Sequence, residues 1–342
     1  MRAKREIVGA QRTWADGLLV DLAAAVRDVD DGDVIALTSA RADVAEGLEA
    51  WSRMTGHAIV AREDAPDGHR WMIRKGSADV GAEPPRPIGS RLWLYSNFDC
   101  NLQCDYCCVR SSPKTPRREL GLERVRRIAS EASACGVDSI LVTGGEPFLL
   151  ADIAEIITTC AEVAPTTVLT NAMLFTGSRL ERLRSLPRER VVLQVSVDSP
   201  TSELHDLHRG KGSWDKAMRG VTLAREEGFR VRLAATVSTA ADEQRFREFL
   251  DREGIDEDDR VIRRVAMRGF ATDGVPLSSN DLVPEVTLTG TGVYWHPVGA
   301  DDDDFLVTTE MFPLADAIAA VRARWEEIRA HDDTVASIFH CA

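Results

Sequence analysis

Four of the chain's seven cysteines lie between residues 100 and 108. Cys100, Cys104 and Cys107 have the spacing C-x3-C-x2-C, and Cys108 follows directly. Soft thiolate ligands select iron–sulfur clusters, zinc or copper(I). Three thiolates on a tight loop can hold three irons of a cubane and leave the fourth iron open to chelate the amino and carboxylate groups of a small ligand. The alternative is a zinc site of three cysteines that a histidine or Cys108 completes.

A glycine-rich turn follows the next apolar segment of the chain, where Thr143 is followed by Gly144, Gly145, Glu146 and Pro147. Two consecutive glycines let the backbone approach a ligand closely and expose its peptide groups. The Glu146 carboxylate could accept a hydrogen bond from an ammonium group. Taken alone, the segment could equally be a surface turn.

Polar residues end three later apolar segments. Asn171 follows the first of these, Ser196 and Asp198 end the second, and Thr236 ends the third. The Asn171 side chain could contact a ligand or simply help the chain to turn. Between the last two segments lies Arg209, whose planar guanidinium could form a bidentate pair with a carboxylate.

The elements that must position these residues alternate between strands and helices. Short apolar runs predict strands at 91–96, 139–143, 167–170, 191–197, 231–237 and 261–265, and amphipathic spacing predicts helices at 120–134, 151–164, 178–185, 213–227 and 242–253. Near-continuous apolar strands that alternate with helices favour a parallel sheet covered by helices. The predicted fold class is α/β, a partial (β/α)6 TIM-like barrel over residues 90–275. Active sites of such barrels lie at the carboxyl ends of the strands, where all of the motifs above fall.

The cysteine loop closely resembles the signature of the radical S-adenosylmethionine (SAM) superfamily, including the aromatic residue, Tyr106, directly before the third cysteine. The resemblance implies one [4Fe–4S] cluster on Cys100, Cys104 and Cys107, with SAM on the open iron. Reduction of the cluster would cleave SAM to methionine and a 5′-deoxyadenosyl radical, which abstracts hydrogen from a substrate. An electron donor such as flavodoxin or ferredoxin is implied as a partner.

The same resemblance assigns roles to the later motifs. The Gly-Gly-Glu-Pro turn matches the motif that binds the SAM amino group, Asn171 lies where the ribose is contacted, and Thr236 lies where the adenine or ribose is contacted. Ser196-Val-Asp198-Ser-Pro is similar to the Ser-x-Asp-Gly-Pro segment of peptide-modifying and cofactor-building members, with serine in place of the usual glycine. Ser196 is then a contact for the SAM carboxylate. The implied cofactor-binding set is Tyr106, Gly144, Gly145, Glu146, Pro147, Asn171, Ser196, Asp198, Arg209 and Thr236.

Residues 205–210, His-Asp-Leu-His-Arg-Gly, are similar to the family's His-Asp-x-x-Arg-Gly stretch. The two histidines are three residues apart and could share a helix face as a metal pair, or they could lie on a solvated turn. We favour the turn.

Residues 276–342 are predicted to be a degenerate SPASM-like extension, a hairpin over 287–297 and a helix over 312–330. Relatives with such an extension carry auxiliary clusters on about seven cysteines, whereas this stretch has only Cys341. One thiol cannot hold a second cubane, so a single cluster is expected. His296 with Cys341 as an extra ligand pair is the alternative.

Residues 1–78 resemble the small TusA/SirA-like sulfur-carrier proteins, an α+β two-layer domain. The match includes Asp16-Gly17-Leu18, an Asp-Gly-Asp turn at 31–33, Thr-Gly-His at 55–57 and a closing strand at 71–75. Val20 stands where the carrier cysteine of that family lies. This domain is therefore predicted not to carry sulfur, but to dock or present a substrate, or simply to pack on the barrel. Residues 79–89, with Pro84, Pro85 and Pro87, are predicted to be a linker.

The composition makes two classes of partner, nucleic acids and membranes, unexpected. The formal net charge of −13 disfavours binding to phosphate backbones, so no nucleic-acid partner is expected. No apolar stretch approaches the roughly 20 residues of a membrane-spanning helix, and no apolar segment follows the charged start. We therefore expect no membrane partner and a cytoplasmic protein. The acidic bias could reflect salt adaptation or coding bias.

Two function hypotheses result. The first is a radical SAM enzyme that modifies a peptide or a small molecule, with the hydrogen-donating residue and the oligomeric state left open. The second is a non-catalytic iron–sulfur or zinc-binding adaptor or sensor linked to sulfur trafficking.

Overall fold

The structure is a computed structural model that describes residues 2–13, 18–30, 32–41, 44–45, 47–48, 51–52, 57–66, 68–76, 86–277 and 282–330. The chain divides into two compact units, residues 1–86 and 87–342. Within the described ranges, no helix has the length and apolar character needed to cross a membrane.

The N-terminal unit is a four-stranded sheet with helices. Its elements are β1 (Arg5–Ala10), α1 (Leu19–Arg27), β2 (Val34–Ser39), β3 (Ala58–Ala65) and β4 (Gly68–Arg74), and residues 44–45, 47–48 and 51–52 are helical. The sheet order is β1-β2-β4-β3, with β1 parallel to β2 and the other pairs antiparallel. Leu22, Ile35, Leu37 and Ile73 are fully buried between sheet and helix. An α+β layer of this kind is what the sequence predicts.

β1 is an addition to the predicted elements. Its side chains are mostly exposed, so it lacks the apolar alternation that indicates a strand. Val20 lies in the first turn of α1. Asp16, Gly17, Asp31, Thr55 and Gly56, which carry part of the sulfur-carrier resemblance, lie outside the described residues, as does Cys341.

The larger unit contains six parallel strands in sequential order. These are β5 (Arg91–Tyr95), β6 (Ser139–Thr143), β7 (Thr166–Thr170), β8 (Val191–Ser196), β9 (Arg230–Val237) and β10 (Arg260–Arg264). The helices that connect them are α2 (Leu122–Ala132), α3 (Ile153–Val163), α4 (Ser178–Arg184), α5 (Ser202–Arg209), α6 (Ser213–Glu226) and α7 (Ala240–Arg252). Short 3-10 helices lie at Ser133–Cys135, Pro147–Leu149, Glu257–Asp259, Pro297–Gly299 and Asp303–Phe305. Six parallel strands with covering helices confirm the predicted α/β class.

The predicted hairpin is present as β11 (Val286–Thr289) and β12 (Gly292–Tyr294), followed by β13 (Leu306–Thr308) and α8 (Leu314–Ala330). β11 pairs in parallel with β5, with Val286 opposite Leu92, so the hairpin continues the barrel sheet beyond its first strand. The full sheet order is β10-β9-β8-β7-β6-β5-β11-β12-β13. The extension therefore lies directly beside the strand that leads into the cysteine loop.

Burial explains why the barrel strands were predictable. In α2, Val125, Ile128, Ala129 and Ala132 are buried at helical spacing, which gives one apolar face toward the sheet. Strands β5, β6 and β8 are largely apolar and buried, whereas β7 contains three threonines and β10 three arginines.

Candidate active site

A cavity of about 260 Å³ opens at the carboxyl ends of the parallel strands. The sequence-predicted residues that line it are Cys100, Cys104, Tyr106, Cys107, Gly144, Gly145, Asn171, Ser196, Arg209 and Thr236. Three others, Glu146, Pro147 and Asp198, are buried without lining the cavity. The structure thus brings the loops after β5, β6, β7, β8 and β9 to one place.

The cysteine loop is joined to the glycine-rich turn by backbone hydrogen bonds. The Gly145 N–H donates to the Asn97 carbonyl at 3.1 Å, and the Glu146 N–H donates to the Asp99 carbonyl at 3.1 Å. The Asn97 amide nitrogen donates in return to the Glu146 carbonyl at 3.1 Å. A Cβ atom on Gly144 or Gly145 would overlap Asn97 or Asp99. The two glycines are therefore required for contact between these loops, a role that the sequence does not reveal.

The Glu146 side chain accepts three hydrogen bonds from the protein. Its Oε1 accepts from the Phe148 N–H at 3.0 Å and from the Thr170 hydroxyl at 2.8 Å, and its Oε2 accepts from the Asn171 N–H at 2.8 Å. Burial raises the pKa of this carboxyl, and the three hydrogen bonds oppose that rise. Glu146 fixes the start of the loop after β7. Its predicted contact with a cofactor ammonium group stays a prediction.

Asn171 connects the loop after β7 to the cysteine loop. Its amide nitrogen donates to the Asn101 side-chain oxygen at 2.8 Å, and its own side-chain oxygen accepts from the Met173 N–H at 3.0 Å. Asn171 helps the chain to turn and also lines the cavity, and its contact with a ligand stays a prediction. The Asn101 contact is absent from the sequence-based set.

Asp198 holds three cavity-lining residues in place. Its carboxylate forms a bidentate ion pair with Arg209, in which the Nη2–Oδ1 distance is 3.1 Å, and it accepts from the Tyr106 hydroxyl. Its Oδ1 also accepts from the Thr236 N–H at 3.1 Å. The Asp198 side chain is only 3% exposed and that of Arg209 9%. The carboxylate partner predicted for Arg209 is thus supplied by the protein itself.

Burial also affects the cysteine thiols. It raises the pKa of Cys104 to about 11, although the Arg209 cation opposes the rise. The pKa of Cys100 is raised by burial and by the Glu146 carboxylate. Such thiols do not ionise at neutral pH on their own, whereas a coordinated metal ion deprotonates a thiol outright. The site therefore favours thiolates that form together with metal binding.

Helix α5 packs against the cysteine loop. The Asp105 N–H donates to the His208 carbonyl at 3.2 Å, and the Asp105 carboxylate lies 2.9 Å from His208 Nδ1. His205 is buried, with Nδ1 accepting from the Asp198 N–H at 3.3 Å. The two histidines thus lie on a helix, not on the favoured turn, and they contact different neighbours instead of sharing a metal ion.

A second contact to the cysteine loop comes from the segment after β10. The Phe270 N–H donates to the Cys107 carbonyl at 3.0 Å. Gly269 has φ +67°, and a Cβ there would overlap the backbone of Cys107 and Cys108. Only a glycine combines this left-handed conformation with so close an approach. No sequence signal distinguishes Gly269 from an ordinary loop glycine.

The C-terminal extension also contributes to the cavity. The Tyr95 hydroxyl donates to the Pro297 carbonyl at 2.8 Å, and Pro297 and Val298 line the cavity. His296 is buried, and its Nδ1 accepts from the Val298 N–H at 3.2 Å. Burial, with a further contribution from the Arg268 cation, lowers the pKa of His296 to about 3.

The cavity contains the donors that a cluster needs. All three cysteines line it, together with Gly144 and Gly145. A cubane distributes its ligands over separate irons, so its cysteines need not converge on one point. The residues present therefore fit a cubane, and Cys108, which also lines the cavity, keeps the zinc site as the alternative.

The buried His205 predicts a loss of stability in acid. Its pKa is lowered to about 4, by burial first and then by Arg209. The unfolded chain takes up the proton near pH 6.5, whereas the folded chain does not, so stability falls as pH drops from 6.5 toward 4. We expect the titration of His205 to lower the free energy of unfolding by about 2 kcal/mol between pH 7 and pH 5.

Chemical unfolding of the full chain at both pH values measures this effect. His205→Asn keeps an acceptor for the Asp198 N–H but does not titrate. Between pH 7 and pH 5, the free energy of unfolding of the variant should therefore fall by about 2 kcal/mol less than that of the parent. Equal losses in the two proteins would contradict the assignment.

Comparisons with known proteins agree with this geometry. Residues 95–252 match the family model described as Radical SAM superfamily. The chain is 33% identical over 150 residues to the antilisterial bacteriocin subtilosin biosynthesis protein AlbA of Bacillus subtilis, covering 42% of this chain and 33% of that protein. It is 31% identical over 141 residues to the AdoMet-dependent heme synthase of Methanosarcina barkeri, and the match covers 41% of this chain and 40% of that protein.

Among solved structures, that of Streptococcus suis SuiB bound to S-adenosylmethionine has a TM-score of 0.47 at 22% identity, covering 57% of this chain and 45% of that one. The chain spans less than half the length of each of these relatives. The family match covers the segment from the end of β5 to the end of α7, which includes the cysteine loop and the glycine-rich turn. The chain therefore contains a domain of the radical SAM superfamily over residues 95–252.

Proposed function

We propose that this protein is a radical SAM enzyme that cleaves S-adenosylmethionine reductively at one [4Fe–4S] cluster and modifies a peptide or a small molecule. The observation that carries the proposal is the shared cavity. Three cysteines of one loop, the two glycines that pack on that loop, and polar residues from three further strand ends all line it.

In this proposal, Cys100, Cys104 and Cys107 hold the cluster. When bound, the cluster and SAM together supply a 5′-deoxyadenosyl radical that abstracts hydrogen from the substrate. Gly144 and Gly145 offer backbone groups to the SAM amino group. Ser196 faces the carboxylate, and Asn171 and Thr236 contact the ribose and adenine.

The remaining predicted residues hold the cavity-lining residues in position. Asp198 fixes Tyr106, Arg209 and the Thr236 backbone, and Glu146 fixes Asn171. Pro147 begins the 3-10 helix that presents the Phe148 N–H to Glu146. Preorganised polar groups of this kind cost no rearrangement during the reaction.

The relatives support both substrate classes. AlbA is named for the biosynthesis of a bacteriocin, whereas the heme synthases and GTP 3′,8-cyclases are named for small molecules. The Ser-x-Asp segment at 196–198 tilts our proposal toward a peptide or a peptide-derived compound. An electron donor such as flavodoxin or ferredoxin would reduce the cluster.

For the N-terminal unit we propose a TusA/SirA-like module, over residues 1–78, that docks or presents the substrate, joined by a linker at 79–89. The parallel pair β1 and β2 with α1 between them, and the antiparallel strands β3 and β4, support a compact module, and Val20 in α1 supplies no thiol.

For residues 276–342 we propose a SPASM-like extension without an auxiliary cluster.

For the compartment we propose the cytoplasm. The six described cysteines are not in disulfides, which favours a reducing compartment.

The decisive experiment is anaerobic reconstitution of the full chain with iron and sulfide, followed by dithionite and SAM. We expect methionine and 5′-deoxyadenosine in equal amounts, measured by chromatography, and neither product when dithionite is omitted. A reconstituted cluster that never cleaves SAM would contradict the proposal and favour the adaptor or sensor hypothesis.

A further inference from the structure

Arg263 lines the cavity with a half-buried guanidinium, two nitrogens of which lack an acceptor among the described residues. It lies on β10, the last of the six parallel strands, next to Thr236 of β9, and it lines the cavity. Its Nε and Nη2 atoms are both buried, and no hydrogen-bond partner is found for either among the described residues. The neighbouring Arg264, by contrast, donates from Nη1 to the Ser238 carbonyl at 3.0 Å.

Two buried guanidinium donors without an acceptor are costly to the fold. A buried polar group that loses water needs a hydrogen-bond partner in exchange, so such a group points to a ligand that supplies one. A guanidinium has five donors in a planar fork that matches the oxygens of a carboxylate or a phosphate. Two other cations line the cavity: Arg209, which Asp198 neutralises, and Arg264, whose Nη1 donates to the Ser238 carbonyl. Arg263 differs from both because two of its buried donors have no acceptor among the described residues, so an added anion gains most hydrogen bonds there.

We propose that Arg263 binds an anionic group, a carboxylate or a phosphate, on the substrate of this cavity. The inference rests on the proposed function in that the occupant is the molecule the enzyme modifies. The inference goes beyond the proposed function in one respect: the substrate carries a negatively charged group, and Arg263 fixes its orientation. An anion at Arg263 would hold the substrate by one end, so that its reacting carbon is positioned relative to the cluster.

The position of β10 favours the substrate over SAM as the source of the anion. Ser196, the predicted contact of the SAM carboxylate, lies at the end of β8. β10 is two strands away in the sheet, a separation of about 10 Å. Apolar residues line the cavity around Arg263, among them Ala266, Leu277 and Leu282. These would enclose the uncharged part of the substrate and strengthen the ion pair by excluding water.

The first test is an anion probe on the reconstituted full chain. Crystals soaked in sodium bromide should show an anomalous peak beside the guanidinium in the parent protein and none in Arg263→Met. Arg263→Lys should retain the peak because it retains the charge. The control Arg232→Gln, which removes a cation paired with Asp259 away from the cavity, should also retain it.

The second test measures SAM affinity by calorimetry. Arg263→Met should bind SAM within twofold of the parent. A decrease of more than twofold would overturn the proposal, because Arg263 would then contact SAM instead of the substrate.

The third test is thermal unfolding in a buffer of low anion concentration. Arg263→Met should melt at a higher temperature than the parent because the variant no longer buries two donors without an acceptor. A lower melting temperature would show that the guanidinium supports the fold and would also overturn the proposal, as would the absence of bromide from the parent. The bromide and melting measurements require no SAM cleavage, so they remain informative if the proposed enzyme activity fails.

Discussion

A Cys104→Ala variant is expected to lose its iron–sulfur cluster and, with it, the formation of 5′-deoxyadenosine. Two thiolates cannot hold three irons of a cubane, and the one other described thiol that lines the cavity, Cys108, is adjacent to Cys107. Changing a group that merely supports a metal ligand already costs about 10- to 100-fold in affinity or activity. Loss of a ligand itself should therefore exceed about 100-fold.

Iron and sulfide content, the visible absorption of the cluster and product formation measure this effect. Cys135→Ser is the matched control, because Cys135 lies at the end of α2, outside the cavity, and its variant should keep the full complement of iron. Cys108→Ala tests the zinc alternative. A protein that binds zinc without sulfide and releases it in Cys108→Ala would contradict the cluster assignment.

The second large effect is expected at the buried ion pair. Asp198→Ala leaves the Arg209 guanidinium, 9% exposed in the parent, without its carboxylate. Breaking a buried pair in this way typically costs about 3–5 kcal/mol of the free energy of unfolding. The Tyr106 hydroxyl and the Thr236 N–H lose their acceptor in the same step. The variant should therefore also retain the cluster poorly, because Tyr106 lies within the cysteine loop.

Urea unfolding of parent and variant measures the free energy. The control is Glu181→Ala, which removes an exposed pair with Arg184 and should cost about 0.5 kcal/mol or less. Adding Arg209→Met to Asp198→Asn should recover part of the loss, because no charge is then left buried. A cost for Asp198→Ala as small as that of the control would mean that water replaces the carboxylate.

Part of the cavity was predictable because short sequence patterns encode it. The cysteine spacing and the Gly-Gly-Glu-Pro turn are short patterns whose chemistry is contained in a few neighbouring residues. Several parallel strands were predictable because burial makes them largely apolar, and the predicted bounds of 139–143 are those observed for β6. Strand order then follows from short right-handed crossovers. Together these place most predicted site residues at one end of the barrel.

Other features of the site depend on contacts between distant residues. Tyr106 and Asp198 are 92 positions apart, and nothing in either neighbourhood shows that the two side chains meet. Glu146 has the same sequence context whether it accepts from a ligand or, as observed, from Thr170 and Asn171. β1 escaped prediction because its exposed side chains carry no periodic apolar signal.

The sequence by itself determined which residues could hold a cluster, because cysteine spacing and consecutive glycines are local properties of the chain. Only the tertiary structure decided which charges are neutralised. Arg209, Arg263 and Arg264 are the same residue type and all line the cavity, yet folding brings Asp198 to the first, the Ser238 carbonyl to the third and no described partner to the second. That difference is fixed by the packing of strand ends against one another, and it determines which cation remains available to a substrate.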